Sequence, residues 1–333
     1  MRLPLSRAIV PPDARGAPRA VLGKQLTWLL TAVLVGYVIW FLLGEREAMS
    51  ARFSGTAWHA VLLGLGILGT WTVNSLQTLL PLRELGVRVG FGENLLLTIA
   101  AIFGNYLPMR AGSLLRLEYI RSVHGIGYLR YGGLLGARSL VLLFVAAAAG
   151  LAGAVAMRLA GRDPRVEAFF IFGGVLVLAV MPFVAPLERL LPRGGRAGRI
   201  VAQLTEGVAL VRRNRRILVW YCVLVLLQLM FLTGRLAVAF DAIERQPPLW
   251  VYCFLSPIAT ILSFLNLTPG NLGLREWLVG VLSAAVGMDY ADGIFAASID
   301  RGVLIVVTLA AGVPAMSLVV SRMTRRRTHA PSP

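Results

Sequence analysis

Long runs of apolar residues alternate with short polar stretches along most of the chain. A spanning helix needs roughly 20 apolar residues. Six runs meet this requirement, near residues 26–43, 57–80, 132–157, 166–186, 217–240 and 294–320. The pattern predicts an all-α, polytopic integral membrane protein with six full spans.

Two further apolar regions, about 93–122 and 249–287, are each interrupted near the middle. The interruptions begin at Asn105 and Asn266, and both follow the pattern N-x-x-P-x-x-x-G. Proline removes a backbone donor and breaks a helix, while glycine permits the chain to reverse. Each region is therefore predicted to form a broken or re-entrant helical hairpin. The repeated break indicates two related halves, about 25–160 and 166–320.

Composition and charge favour a membrane protein over a soluble one. The chain is 57% hydrophobic and 15% charged, with a formal net charge of +17, whereas soluble domains are about 25% charged. A strongly basic chain can indicate nucleic-acid binding. Here the basic residues lie in short stretches between apolar runs, and the sequence motifs of nucleic-acid-binding domains are missing. We therefore expect no nucleic-acid partner and attribute the charge to membrane topology.

The positive-inside rule gives an orientation. With a cytoplasmic N-terminus, 21 basic residues fall on the cytoplasmic side and 6 on the opposite side. Both termini are therefore predicted to be cytoplasmic. The two hairpins would then insert from opposite faces, as an inverted repeat.

The predicted organisation is one transmembrane domain, 25–320, between a cytoplasmic segment, 1–24, and a basic tail, 321–333. Within the domain, 187–216 is expected on the cytoplasmic surface. Apolar residues at helical spacing, Ile200, Leu204, Val208 and Val211, predict an amphipathic interfacial helix there. A solvated loop is the alternative.

Six arginines lie within or beside apolar segments: Arg110, Arg116, Arg138, Arg235, Arg275 and Arg301. An arginine at a helix centre costs roughly 2.5–3.5 kcal/mol on insertion scales, so several together predict a hydrated or ion-paired cavity. The N-terminus of the helix after each break favours binding of an anion. Guanidinium groups match the geometry of a phosphate group.

These features together predict a site for an anionic head group. The candidate binding residues are Asn105, Pro108, Gly112, Ser113, Arg116, Glu118, Asn266, Pro269, Gly270, Asn271, Gly273, Arg275, Glu276 and Arg301. Alternatively, Arg116–Glu118 and Arg275–Glu276 are neutralising pairs that orient the half-helices. Asp300–Arg301 is then an interfacial pair, and Arg138 and Arg235 extend toward the membrane surface.

The second break, from Leu267 to Glu276, resembles the P-G-x-x-G-x-R-E signature of the flippase-like transmembrane family shared with lysylphosphatidylglycerol synthases. The first break is similar to the N-x-x-P-x-x-x-G-E-x-x-R element of that family, and Arg301 falls where the family often has arginine. The resemblance covers roughly residues 25 to 320. It implies a helical domain in the bacterial cytoplasmic (inner) membrane that flips aminoacylated or glycosylated lipid, or polyprenyl-linked sugar.

The chain departs from the family pattern at two places. Ser113 stands where the family commonly has glutamate, and the expected E-R-x-x-D element reads Ala137-Arg138-Ser139-Leu140-Val141. Because no long hydrophilic region follows Val320, we also expect no soluble aminoacyl-transferase domain, and a transporter rather than an enzyme.

Two other functions stay open at this point. A membrane-embedded transferase acting on a lipid head group would need a general base, for which Glu118, Glu276 and Asp300 are the candidates. A non-transporting partner of a separate glycosyltransferase or lipid-modifying synthase is the other alternative. No metal or cofactor is expected, since Cys222 and Cys253 lack metal-site spacing.

Overall fold

The computed structural model describes residues 36, 40, 43–44, 54–106, 111–161, 166–184, 207–262 and 268–328. These residues are mainly helical and include no strand, which confirms the predicted all-α class. Most of the predicted span 26–43 and most of the segment 187–216 lie outside the described residues, so neither expectation is tested over its full length.

The helices, numbered in chain order, are α1 Ala57–Glu84, α2 Phe91–Gly104, α3 Ala111–His124, α4 Tyr128–Leu159, α5 Val166–Val184, α6 Arg215–Asp241, α7 Leu249–Leu262, α8 Leu274–Ala285 and α9 Tyr290–Thr328. Residues 207–213 are also helical. Four helices of the described part are long and apolar enough to cross a membrane: α1, α4, α6 and the stretch Tyr290–Met323 of α9. The chain is therefore an integral membrane protein by length and composition of its helices, while the count of six spans stays a prediction.

Helices α2 and α3 form the first hairpin. Each has 14 residues, so each is about 21 Å long and shorter than the roughly 30 Å hydrocarbon core. At the base, the Glu93 carboxylate accepts a hydrogen bond from the Tyr119 hydroxyl at 2.7 Å and lies 3.0 Å from His124 Nε2. The chain therefore returns to the end of the bundle from which it came.

Helices α7 and α8 form the second hairpin. They have 14 and 12 residues, which again gives lengths of about 21 and 18 Å. The predicted interruption of the apolar region 249–287 is thus present as a break between two short helices. Residues 263–267, including Asn266, lie outside the described part of the chain.

The described segments that connect the helices lie at the two ends of the helix bundle. At one end, Ser54 N donates to Ala242 O at 3.1 Å, and Arg245 Nε donates to Asp292 at 2.8 Å. At the other end, Tyr119 packs in a cluster with Val319 near the C-terminal end of α9. The first hairpin has its base at this second end. The second hairpin has its base at the first end, because Val251 and Val286 pack with Met157 and Ile243.

Buried apolar clusters hold both hairpins in place. One cluster joins α7 and α8 to α1, α4, α5, α6 and α9, with Phe172, Phe240 and Phe295 fully buried in it. A second joins α2 and α3 to the end of α1, the start of α4 and the end of α9. A third includes Val211 and Val208 of the helical residues 207–213, packed with α4 and α6. This part of the predicted amphipathic segment is therefore helical and packs its apolar side against the bundle, while its position on the cytoplasmic surface stays a prediction.

Candidate functional site

Asn105 closes the tip of the first hairpin. It ends α2, and its side-chain oxygen accepts hydrogen bonds from Ser113 N and Ser113 Oγ, both at 3.1 Å. Gly112 lies so close to α2 that a Cβ there would be 1.9 Å from the Ala101 carbonyl oxygen. Only glycine fits this approach. Pro108 and Arg110 lie outside the described residues.

The tip of the second hairpin is a short 3-10 turn, Pro269–Asn271, followed by the start of α8. Three of its residues have positive φ: Gly270 at 61°, Asn271 at 56° and Gly273 at 77°. Asn271 N donates to Thr268 O at 2.9 Å, and Thr268 Oγ1 donates to Leu272 O at 2.9 Å. Left-handed backbone favours glycine and, among other residues, asparagine. The P-G-N-x-G sequence therefore suits this turn.

The tips of the two hairpins meet inside the bundle. A Cβ added to Gly270 would be 2.9 Å from Cδ1 of the Tyr106 ring. The Arg301 guanidinium lies over the same ring, 5.9 Å from its centroid, and donates to the Gly270 carbonyl oxygen. Residues of the two repeated breaks and of α9 thus share one location.

Arginines and carboxylates surround this junction, which we call the hairpin-tip cluster: Tyr106, Arg235, Gly270, Arg275, Glu276, Asp300 and Arg301. Asp300 is fully buried and is shared by two guanidinium groups. Arg235 binds it through Nε at 2.8 Å and Nη2 at 2.9 Å, and Arg275 Nη2 lies 3.0 Å from it. The second carboxylate, Glu276, lies 3.1 Å from Arg301 Nε. The cluster therefore contains two carboxylates and three guanidinium groups.

The ion pairs differ from the alternative suggested by sequence neighbours. Arg275 pairs with Asp300 rather than with the adjacent Glu276, and Glu276 pairs with Arg301. Adjacent residues on a helix point in different directions, so each needs a partner on another helix. Asp300 and Arg301 are likewise not paired with each other but hold α6 and α8 to α9.

Arg116 belongs to a second polar group, which we call the amide cluster: Asn74, Ser75, Gln77, Thr78, Asn94, Arg116, Arg138 and Gln228. Arg116 Nη2 donates to Thr78 Oγ1 at 2.6 Å and to Asn94 Oδ1 at 3.1 Å. Arg138 Nε donates to Gln77 Oε1 at 2.8 Å, and its Nη2 donates to Asn74 Oδ1. Gln77 in turn donates to Gln228 Oε1 at 2.8 Å. Arg138 therefore turns inward, which is contrary to the alternative in which it extends toward the membrane surface.

Helix α1 contacts both clusters. A Cβ at Gly66 would be 2.6 Å from Cγ of Arg235, which belongs to the hairpin-tip cluster. About three turns further along, Gln77 and Thr78 hold the arginines of the amide cluster. The same face of α1 therefore contacts intramembrane arginines from both repeat halves of the chain.

The structure does not bring all predicted residues together. Glu118 accepts a hydrogen bond from the Tyr128 hydroxyl near the base of the first hairpin, away from both hairpin tips. Asn266 lies outside the described residues, and only the backbone of Pro269 is described. Among the rest, Gly270, Arg275, Glu276 and Arg301 meet at the hairpin-tip cluster, while Arg116 lies in the amide cluster.

Sequence reasoning missed the uncharged members of the amide cluster. Asn74, Gln77 and Thr78 occur at positions i, i+3 and i+4 of a mainly apolar helix, so they share one face. This polar spacing was a usable signal. Tyr106 was also missed as a contact between the breaks, because no periodicity predicts a meeting of loop residues.

The fold and the buried arginines define a class: a helical integral membrane protein with two short hairpins whose tips meet in its interior. The sequence profile described as Lysylphosphatidylglycerol synthase TM region matches residues 28–312. The chain belongs to this family, as the resemblance predicted, and the family indicates a role related to membrane lipid. Comparisons with curated proteins and with solved structures each found no match.

Proposed function

We propose that the protein translocates an anionic lipid across the bacterial cytoplasmic membrane. The lipid would be an aminoacylated or glycosylated phospholipid or a polyprenyl-phosphate-linked lipid. The observation that carries this proposal is the meeting of the two hairpin tips at Tyr106 and Gly270, beside the buried arginines Arg235 and Arg301 and the partly buried Arg275. Broken helices that meet inside a bilayer are typical of transport sites.

The orientation of the two hairpins supports an alternating-access mechanism. Their bases contact opposite ends of the bundle, as two oppositely inserted halves require. Together with the predicted cytoplasmic termini, this arrangement would form the inverted repeat that the sequence suggests. A site between such halves could open first to one leaflet and then to the other.

Transfer chemistry has less support among the described residues. Both buried carboxylates of the hairpin-tip cluster are engaged by guanidinium groups, at 3.0 Å for Asp300 with Arg275 and 3.1 Å for Glu276 with Arg301. A general base needs a free position toward the proton that it removes. Asp300 lacks such a position, whereas neither oxygen of Glu276 has a hydrogen-bond partner among the described residues. The contacts therefore argue against Asp300 as a base and leave Glu276 as the candidate base of the transferase alternative. In the favoured lipid-binding role, a separate glycosyltransferase or synthase is the source of modified lipid.

The test is translocation by the purified full-length protein in liposomes. Fluorescent phosphatidylglycerol and a fluorescent polyprenyl phosphate are the probes, and an impermeant quencher reports the fraction in the outer leaflet. We expect wild type to exchange the probe between leaflets, and Arg275→Ala and Glu276→Gln to lose at least about tenfold in rate, since each removes a buried charge contact of roughly 1.4 kcal/mol or more.

Arg245→Gln is the matched control, because Arg245 pairs with Asp292 at one end of the bundle, far from the hairpin tips. It should exchange the probe like wild type. If wild-type vesicles behave like empty vesicles with both probes, the proposal is wrong. If mass spectrometry finds a covalently modified lipid, the transferase alternative replaces it.

A further inference from the structure

The two arginines of the amide cluster differ from those at the hairpin tips in their partners. Arg116 is 8% exposed, and its hydrogen bonds go to the Thr78 hydroxyl and the Asn94 amide. Arg138 is held by the side-chain oxygens of Gln77 and Asn74. In the part of the chain that the structure describes, no carboxylate lies within ion-pair distance of either guanidinium group.

The two positive charges lie near each other. Arg116 binds Thr78 and Arg138 binds Gln77, which are adjacent residues on one turn of α1. Burying a charge without a counter-charge is unfavourable by several kcal/mol. Two neighbouring cations, of which Arg116 is buried and Arg138 is half-buried, therefore favour a negative group between them.

Several buried donors around these arginines lack an acceptor. Arg116 Nε has no hydrogen-bond partner among the described residues, and neither do the hydroxyls of Tyr131 and Tyr221. Tyr131 is 1% exposed and packs in one cluster with Ile120, one helical turn from Arg116. Tyr221 is 0% exposed and packs in another cluster with Ala137, the neighbour of Arg138. Unpaired buried donors are rare in folded proteins and call for an explanation.

A phosphate group fits this set of donors. Its oxygens accept several hydrogen bonds at once, and guanidinium groups bind it through charge-assisted pairs. The hairpin-tip cluster offers less to an anion, because Asp300 and Glu276 already neutralise two of its three guanidinium groups.

We propose that Arg116, Arg138, Tyr131 and Tyr221 form a binding site for a phosphate-bearing anion between α1, α3, α4 and α6. Tyr131 and Tyr221 are binding residues that the sequence did not identify, while Arg138 was identified only as an intramembrane arginine. The inference rests on the proposed function only for the source of the phosphate, a lipid head group.

Binding is measured on the purified full-length protein in a neutral detergent. The probes are a short-chain phosphatidylglycerol, inorganic phosphate and, at equal ionic strength, chloride. We expect a phosphate-bearing probe to raise the melting temperature and to bind at least about tenfold more weakly to Arg138→Gln, since the lost charge-assisted bonds correspond to that factor. Without anion, the melting temperature of Arg138→Gln should equal or exceed that of wild type.

Tyr221→Phe keeps the test decisive if Arg138→Gln fails to fold. It removes a hydroxyl that has no partner among the described residues, so folding should be unaffected while anion affinity falls about tenfold. Arg245→Gln is the control and should bind like wild type.

The outcomes distinguish the possible sources of the phosphate group. They also distinguish the proposed anion site from the proposed translocation function. Binding of the lipid alone identifies a head group as the ligand, while competition by inorganic phosphate identifies a soluble anion; both support the site. If no probe binds, or if binding is the same in Arg138→Gln and Tyr221→Phe as in wild type, the site is only a structural polar network and the inference is wrong. Arg138-dependent binding without translocation in liposomes would reject the proposed function alone.

Discussion

Tyr106 and Gly270 are in contact, although they belong to two separate breaks in the chain: a Cβ at Gly270 would be 2.9 Å from the Tyr106 ring. Gly270 also adopts a φ of 61°, and its carbonyl oxygen accepts a hydrogen bond from Arg301. A single residue without a side chain therefore lets the two hairpins and α9 come together.

Replacing Gly270 should disturb this junction. In Gly270→Ala, the new methyl group must displace the Tyr106 ring while the backbone stays left-handed, at an expected cost of about 1–3 kcal/mol. Thermal unfolding of the purified protein in detergent should show a lower melting temperature, and liposomes should show slower translocation. Gly64→Ala is the control, since no atom lies within 4 Å of the added Cβ; equal melting temperatures for the two variants would contradict the prediction.

Gly112→Ala should be more damaging than Gly270→Ala. The added Cβ would lie 1.9 Å from the Ala101 carbonyl oxygen, and a backbone atom cannot rotate away as a ring can. The helices of the first hairpin must separate, for which we expect a loss of at least about 3 kcal/mol in the free energy of unfolding. Denaturant unfolding measures this loss, with Gly234→Ala as the control that has open space around its Cβ. Equal stability of Gly112→Ala and Gly234→Ala would show that the helices do not pack this closely.

Asp300→Asn should destabilise the protein more than Arg275→Gln. Asp300 is 0% exposed and serves both Arg235 and Arg275, so its neutralisation leaves two buried cations, at an expected cost of about 3–5 kcal/mol. Arg275→Gln leaves the bidentate pair between Arg235 and Asp300 in place.

A double-mutant cycle with Arg235→Gln tests the shared contact of Asp300. The double variant Asp300→Asn/Arg235→Gln should lose less than the sum of the two single losses, because it removes a cation along with its partner. Strictly additive losses in denaturant unfolding would mean that the pair contributes nothing.

Cysteine labelling should recover the orientation predicted from the 21 and 6 basic residues on the two sides. In a chain with Cys222→Ser and Cys253→Ala, we expect Gln246→Cys to react with an impermeant maleimide in intact cells. Arg88→Cys should react only after permeabilisation. Both positions are exposed at the ends of the bundle. Labelling of Arg88→Cys alone in intact cells would reverse the orientation, and equal labelling of both would contradict it.

The hairpins could be predicted because proline and glycine act locally. The break at Asn105 and the break before Gly273 follow from the backbone limits of single residues, and the structure has short helices on both sides of each. The lengths of apolar runs also predicted α1, α4, α6 and α9, since a spanning helix is recognised from composition alone.

The partners of the arginines could not be predicted in the same way. Arg275 and Glu276 are neighbours in sequence, but Arg275 binds Asp300 and Glu276 binds Arg301, both in α9. Arg235 of α6 shares Asp300 with Arg275. Such pairing depends on how separate helices pack, which the sequence pattern does not encode. Glu118 was grouped with Arg116 for the same reason, and its carboxylate instead meets Tyr128.

Helix α1 passes Arg235 and then Arg138. The distance between these two arginines sets how far a charged head group would move without a cationic contact. Gly66 and Gln77 contact these two arginines, and a helix covers about 17 Å between such positions. That distance is roughly half of the 30 Å hydrocarbon thickness. In the proposed function, a phosphate bound at the amide cluster would therefore have only about half of the bilayer left to cross before it reached the hairpin-tip cluster, so the barrier to crossing would be divided into shorter steps.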